Sequence, residues 1–157
     1  MNPTVKHIAL VGLRWLLGGV FIFSGLVKCV DPVGTSIFVE KYLATYSLEA
    51  MLYLALPIAV LLATLEVVLG ILLIIGVLRK YVTLSATILL LLFTIITLLS
   101  ATVLPIGDCG CFGDAVKLTP WQTFAKNVVL LTVALLLLRN TEDRPHAWSR
   151  VVAVVVT

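Results

Sequence analysis

The sequence predicts an all-α membrane protein built as a bundle of four transmembrane helices. The chain of 157 residues is 61% apolar and only 12% charged, whereas a soluble domain is about 45–50% apolar and about 25% charged. Its mean hydropathy is +1.18, and four apolar runs are long enough to cross about 30 Å of hydrocarbon. The same composition excludes disorder and a disulfide-rich secreted scaffold. Because no cluster of Lys and Arg forms a basic face, no nucleic-acid partner is expected.

The four apolar runs cover approximately residues 8–28, 51–78, 82–104 and 120–138. None alternates between apolar and polar residues as the strands of a membrane barrel do. Backbone groups in lipid must be hydrogen-bonded within their own segment, so each run is predicted to be a helix. The first run contains Arg14 and is not followed by an A-x-A cleavage site, which favours a retained helix over a signal peptide.

The segment between the first two runs, residues 29–50, is predicted to contain a short helix in the membrane interface. Asp31-Pro32 is typical of a helix start. Apolar and aromatic residues then recur at helical spacing among charged ones, as in helices that lie on a membrane. The residues with this spacing are Ile37, Phe38, Tyr42 and Tyr46.

Residues 105–119, between the third and fourth runs, are rich in Gly, Asp and Cys and are predicted to form a loop. This loop ends in Thr119-Pro120-Trp121-Gln122. A threonine followed three residues later by glutamine predicts a capping box, and proline suits the first position of a helix. The start of the fourth helix is therefore well defined.

The distribution of positive charge predicts that both termini are cytoplasmic, because short inner loops carry an excess of Lys and Arg. With the N-terminus inside, seven of the 11 Lys and Arg residues fall on the inner side: Lys6, Arg14, Arg79, Lys80, Arg139, Arg144 and Arg150. We therefore predict a membrane domain over residues 1–140, in a bacterial inner membrane. Residues 141–157 are predicted to be a cytoplasmic tail whose final apolar run is either a buried end or the first turns of a further, truncated helix.

All three cysteines fall on the outer side in this topology, which in a bacterium is the oxidising compartment. Cys109 and Cys111 are separated only by Gly110, so a disulfide between them needs a sharply bent backbone. Strained, exposed disulfides are the labile kind, and a bridge across one residue stabilises a fold very little. The pair therefore favours redox exchange over a structural role, and a soft-metal site that includes Cys29 is a weaker alternative because zinc usually needs four ligands.

Two further side chains near the cysteines have open roles. Cys29 is either a resolving thiol, with Lys28 favouring its thiolate, or a small apolar residue at a helix end, and the second interpretation is favoured. Lys126 either extends outward to the membrane surface or points at the loop and stabilises a thiolate of Cys109 or Cys111. Asp31 is favoured as a helix cap over a catalytic acid.

Two charged residues lie inside the apolar runs. Glu66 is about 22 Å along the second run and Arg14 is about 21 Å from the outer end of the first, so their depths match. An isolated charge in hydrocarbon is costly, so we expect Arg14 and Glu66 to form an ion pair. This pair has either a structural role, in setting the helix register, or a functional role. In the functional role it contacts a quinone headgroup or forms part of a proton relay.

Several short motifs occur in a characteristic order along residues 14–127. They are Arg14-x-x-x-Gly18-x-x-Phe21-x-x-Ser24-Gly25-x-x-Lys28, Asp31-Pro32-x-Gly34, Leu65-Glu66-x-x-Leu69-Gly70, Cys109-Gly110-Cys111-Phe112-Gly113, Thr119-Pro120-Trp121 and Lys126-Asn127. In these motifs the chain resembles the DoxX-like membrane proteins and, among them, the branch of the methylamine-utilisation protein MauE. The resemblance implies a four-helix membrane bundle with a role in periplasmic thiol–disulfide chemistry or electron transfer, usually beside thioredoxin-like partners. Cys29 is not part of the family's motif.

The leading functional hypothesis is a membrane thiol–disulfide oxidoreductase in which Cys109 and Cys111 exchange with a thioredoxin-like or other disulfide-bearing periplasmic protein. Electrons would pass to or from a quinone held near Arg14 and Glu66. One alternative is a non-catalytic membrane anchor or assembly subunit that docks a periplasmic partner. A carrier of small solutes is a further alternative, which charged residues within the membrane would permit.

Overall fold

The computed structural model of the protein describes residues 3–45, 49–102 and 119–140, and these residues are helical almost throughout. The helices are α1 (Pro3–Val30), α2 (Pro32–Thr45), α3 (Ala55–Ile75), α4 (Arg79–Thr102) and α5 (Pro120–Asn140), with a 3-10 segment at Glu49–Leu54 before α3. Four of them, α1, α3, α4 and α5, are long and apolar enough to cross a membrane. The described part of the chain contains no strand. The predicted all-helical, multi-pass architecture is thus confirmed.

Helices α1 and α3 form a closely packed antiparallel pair, because small residues let their backbones approach. A Cβ atom built on Gly18 would lie 2.8 Å from the carbonyl oxygen of Gly70, and one built on Gly25 would lie 2.8 Å from that of Ala63. Glycine and alanine at such contacts are typical of helix pairs in membranes, where close van der Waals packing replaces the hydrophobic effect. The seven-residue spacing on both helices holds this seam on one face.

Helix α5 packs against α4, and the interior that these two helices share with α1 and α3 changes character along its length. Towards the end where α4 begins, it is a core of large apolar side chains and alanines: Leu17, Phe21, Leu73, Val82, Ala86, Leu90, Leu130, Ala134 and Leu137. Towards the other end, small polar side chains are buried instead, including Thr97, Ser100 and Asn127. The bundle therefore has an apolar half and a polar half.

The helix ends follow the local signals in the sequence. The backbone N–H of Gly34 donates to Asp31 Oδ1 over 2.8 Å, so Asp31 caps α2 as predicted. The N–H of Gln122 donates to Thr119 Oγ1 and the N–H of Thr119 donates to Gln122 Oε1, which confirms the capping box. Helix α3 ends at Gly76, whose φ of 78° is accessible to glycine without strain. The turn from α3 to α4 is therefore short and sharp.

Helix α2 forms where the sequence predicts it, and packs against α3. It buries the small polar side chains Thr35 and Ser36 and leaves the apolar side chains of Val33 and Ile37 exposed. Its location in the membrane interface stays a prediction, as do the cytoplasmic termini. The loop with Cys109 and Cys111 and the tail 141–157 lie outside the described residues.

Candidate functional site

A buried ion pair between Lys28 of α1 and Glu66 of α3 lies in the polar half of the bundle. Lys28 Nζ is 2.8 Å from Glu66 Oε1 and 2.7 Å from Oε2, and it donates a third hydrogen bond of 2.8 Å to Ser24 Oγ. Only 4% of Lys28 and 2% of Glu66 are exposed. The ammonium also lies 5.5 Å from the centre of the Phe93 ring of α4, within the range of a cation–π contact. Three helices therefore surround one ammonium group.

The two side chains meet because each leans towards the N-terminus of its own helix. In an antiparallel pair these directions are opposed, so Lys28 extends back into the bundle while Glu66 extends towards the end where α3 begins. The bond from Lys28 to Ser24, one turn earlier on α1, shows this lean directly. The two side chains therefore meet at a level of the bundle between their own backbone positions.

A small cavity adjoins the ion pair. Apolar residues of α1, α4 and α5 form most of its wall, and the polar residues that line it are Ser24, Glu66, Lys126 and Asn127. The volume open to the centre of a water molecule is about 20 Å³, and roughly 10–15 Å³ suffices for one water. The cavity therefore fits a water molecule beside Glu66. Arg14 does not line this cavity, and a quinone near Glu66 stays a prediction.

The predicted ion pair of Arg14 and Glu66 is wrong. Glu66 is bound by Lys28, and Arg14 lies at the far end of α3, where its Nη1 and Nη2 atoms are 2.9 Å from the position that a Cβ would take on Gly76. Arg14 and Glu66 have similar depths along their helices, but Arg14 leans towards the N-terminus of α1, away from Glu66.

The suggested contact between Lys28 and the thiol of Cys29 is also corrected. Successive helical residues point about 100° apart, and Lys28 faces the interior while Cys29 is exposed. The ammonium of Lys28 is engaged with Glu66 and Ser24, so it does not serve the thiol of Cys29. The favoured interpretation of Cys29, a small apolar residue at a helix end, stays a prediction; its side chain is exposed one residue before the end of α1.

Lys126 is brought to the same site, since its half-buried side chain lines the cavity beside Asn127. Asn127 is buried, and its Nδ2 donates to Thr97 Oγ1 across the α4 and α5 interface over 3.4 Å. Lys126 stabilising a thiolate stays a prediction, because Cys109 and Cys111 lie outside the described residues. Within those residues, no group of three His, Cys, Asp or Glu side chains is placed to hold a metal.

Sequence reasoning missed Lys28, Phe93 and Asn127 as members of the site. The sequence alone associates Lys28 with the thiolate of Cys29 and not with Glu66. The signal that identifies it is its four-residue spacing from Ser24, which places both side chains on one helix face. Phe93 carries no such signal, since one aromatic in an apolar run looks like any other residue facing lipid.

Similarity to known proteins identifies the family of this chain. Protein TlpB of Flavobacterium psychrophilum is 30% identical over 142 residues, which cover 87% of this chain and 39% of TlpB. The chain therefore spans less than half the length of that relative. No solved structure matches the chain. Residues 6–140 match the family of the methylamine utilisation protein MauE, from the first turns of α1 to the end of α5, and the chain belongs to this family.

Proposed function

We propose that this protein is a membrane-embedded thiol–disulfide oxidoreductase or electron-transfer protein that acts through Cys109 and Cys111. The observation that carries the proposal is the position of the polar site relative to the ends of α4 and α5. The Cys-Gly-Cys segment belongs to the chain between Thr102 and Thr119, and these residues end α4 and precede α5. Phe93 and Lys126 line the cavity from the halves of α4 and α5 nearer to those ends.

The proposed reaction balances within the two proteins that exchange. A thiolate of the Cys109 and Cys111 pair attacks a disulfide of a thioredoxin-like partner, forming a mixed disulfide and releasing one partner thiolate. The second cysteine then displaces the other partner sulfur and closes the bridge between positions 109 and 111. Two electrons and two protons pass from this chain to the partner, and the reverse reaction has the same balance. No step is routed through a quinone.

The family resemblance and the distribution of charge in this chain support a role at the outer face of a bacterial inner membrane. The resemblance to DoxX-like proteins and to MauE implies periplasmic thiol–disulfide chemistry, and the excess of Lys and Arg on the side of the N-terminus is typical of cytoplasmic loops. The loop with both cysteines would then face the oxidising compartment. Lys126 would favour the reactive thiolate from the bundle side.

Alkylation of thiols in intact cells with a tag of defined mass tests the proposal. The wild-type chain is expected to gain two tags when cells pass from oxidising to reducing conditions, because reduction frees Cys109 and Cys111. The Cys29→Ser variant is the matched control and should keep this change. The Cys111→Ala variant should accumulate a mixed disulfide, visible as a larger species on a gel without reductant. A tag count that never changes would contradict redox cycling.

A second candidate function is that of a membrane anchor or assembly subunit. The observation that favours it is the length of TlpB, because the alignment covers only 39% of that protein. A membrane bundle joined to further chain can hold a partner domain at the membrane without exchanging electrons. In that case the tag count stays constant, while loss of the loop between α4 and α5 still disrupts the association with the partner.

A further inference from the structure

Two guanidinium groups meet at the turn between α3 and α4. Arg14 Nη1 and Nη2 each lie 2.9 Å from the position that a Cβ would take on Gly76. Arg79 Nε donates to the carbonyl oxygen of Gly76 over 3.4 Å. Gly76 ends α3, where unpaired carbonyl groups give a partial negative charge of about half an electron. Two full positive charges thus lie against one helix end that balances only a fraction of them.

No carboxylate among the described residues compensates this charge. The acidic residues whose side chains the structure describes are Asp31, Glu40 and Glu66. The first two lie beside or on α2, which joins α1 to α3 at the opposite end of the bundle, and Glu66 is bound to Lys28. Within the same described part, Arg14 Nε is buried and has no hydrogen-bond partner. The pair of guanidinium groups therefore offers unused donors and excess positive charge.

The surroundings of these donors are those of a membrane interface. The side chains of Trp15 and Tyr81 are 59% and 69% exposed. Trp15 directly follows Arg14 in the sequence, and Tyr81 lies two residues after Arg79. Tryptophan and tyrosine concentrate at the level of lipid headgroups. Leu78, within the turn itself, is 60% exposed and apolar. An anion at this level has apolar surface directly beside it, which suits an acyl chain.

We propose that Arg14 and Arg79 bind the phosphate group of an anionic phospholipid at this end of the bundle. The planar fork of a guanidinium donates two parallel hydrogen bonds to phosphate oxygens, and two such groups at one point suit a phosphodiester. The lipid phosphate accepts hydrogen bonds from the Nη atoms of the two guanidinium groups. Its acyl chains lie along the exposed apolar surface that begins at Leu78.

Native mass spectrometry tests this proposal on the full chain released from nanodiscs made of equal parts phosphatidylglycerol and phosphatidylcholine. The wild-type protein is expected to retain phosphatidylglycerol in preference to phosphatidylcholine. Arg14→Gln and Arg79→Gln are each expected to lower the retained phosphatidylglycerol about fivefold, the usual effect of one basic residue at an anionic membrane. Arg139→Gln is the matched control, because it removes the same charge from the same end of the bundle.

Each outcome decides the proposal. Loss confined to the Arg14 and Arg79 variants supports it, and Arg14→Lys should then retain an intermediate amount because it keeps the charge but not the fork. An equal loss in Arg139→Gln overturns it in favour of a diffuse surface potential, and no loss in any variant overturns it because neither arginine then holds the lipid. Displacement of the lipid by inorganic phosphate alone overturns the lipid as the ligand. Arg79 is exposed, so Arg79→Gln is expected to fold. This variant still tests the proposal if Arg14→Gln does not fold.

Discussion

The ion pair of Lys28 and Glu66 is the most constrained feature of individual side chains in this protein. Its ammonium donates to three oxygens, and both partners are almost fully buried. Removing two charges from water is costly, and the attraction between them repays that cost only when the geometry is good. A single partner left alone would be an unpaired charge in a medium of low dielectric constant. The two residues should therefore behave as one unit.

We expect Lys28→Met and Glu66→Gln each to lower the free energy of unfolding by about 3–5 kcal/mol, the usual cost of breaking a buried pair. The variant with both changes should lose much less than the sum, because it leaves no charge unpaired. Reversible unfolding of the purified protein in mixed micelles measures these values. Exposed Lys41→Met on α2 is the control and should change stability by less than about 0.5 kcal/mol. Additive costs in the double variant would show that the residues act independently.

The Glu66→Gln variant also separates a structural from a functional role of this carboxylate. A structural role lowers the abundance of the protein in cells and leaves the redox change of each folded molecule intact. A role in proton transfer leaves the abundance normal and impairs the change in tag number at Cys109 and Cys111. The water-sized cavity beside Glu66 makes this comparison informative, since a water there can carry a proton.

The pairing of α1 with α3 depends on glycine at the seam rather than on large interlocking side chains. Gly18 and Gly25 on α1 face Gly70 and Ala63 on α3, and in both contacts a backbone carbonyl oxygen lies 2.8 Å from the position that an added Cβ would take. Backbone atoms cannot rotate away as the end of a side chain can. This close approach also sets the register that brings Lys28 to Glu66 and Arg14 to Gly76.

Two adjacent glycines of α1 provide a matched test of this seam. Gly18→Ala should lower the free energy of unfolding by about 1–3 kcal/mol, because its Cβ would lie 2.8 Å from the Gly70 carbonyl oxygen. Gly19→Ala has nothing within 4 Å of its Cβ, so it should be neutral or stabilise the helix by up to about 1 kcal/mol. The same unfolding measurement compares both. Equal effects of the two changes would mean that the seam does not limit the approach of α1 and α3.

Taken together, the helices form a bundle whose two ends differ chemically. The buried ion pair, the cavity and most of the buried hydroxyl groups occupy the half near the ends of α1 and α4. The half near Gly76 holds the apolar core together with the buried Thr83 and Thr87. The polar half has water-sized space and the apolar half has large side chains packed together. Chemistry at the polar half is therefore expected to communicate with only one side of the membrane.

Labelling with a membrane-impermeant maleimide tests the predicted orientation. In a variant with Cys109→Ser and Cys111→Ser, the exposed thiol of Cys29 should be labelled on intact spheroplasts, because the end of α1 is predicted to face the periplasm. Lys6→Cys in a chain without the native cysteines is the control for the opposite end, where the native side chain is exposed. It should be labelled only after permeabilisation. The reverse pattern would place the termini outside.

Composition and local pattern were enough to predict the number of spanning helices, the caps at Asp31 and Thr119, and a helix at α2. Each of these depends on neighbouring residues: apolar length against bilayer thickness, or a side chain against the backbone three residues away. The sequence also predicts the approximate ends of the spanning helices. However, α4 begins at Arg79, before its predicted start, and α1 extends beyond both of its predicted ends.

The partner of Glu66 depends on how two helices approach each other, and only the folded structure reveals it. Arg14 and Lys28 both lie on α1, and charge alone does not choose between them. The choice follows from the seam of small residues, which sets the antiparallel register, and from the lean of each side chain towards its own N-terminus. Contacts between distant segments are decided by packing in three dimensions, whereas caps and spans are decided by residues adjacent along the chain.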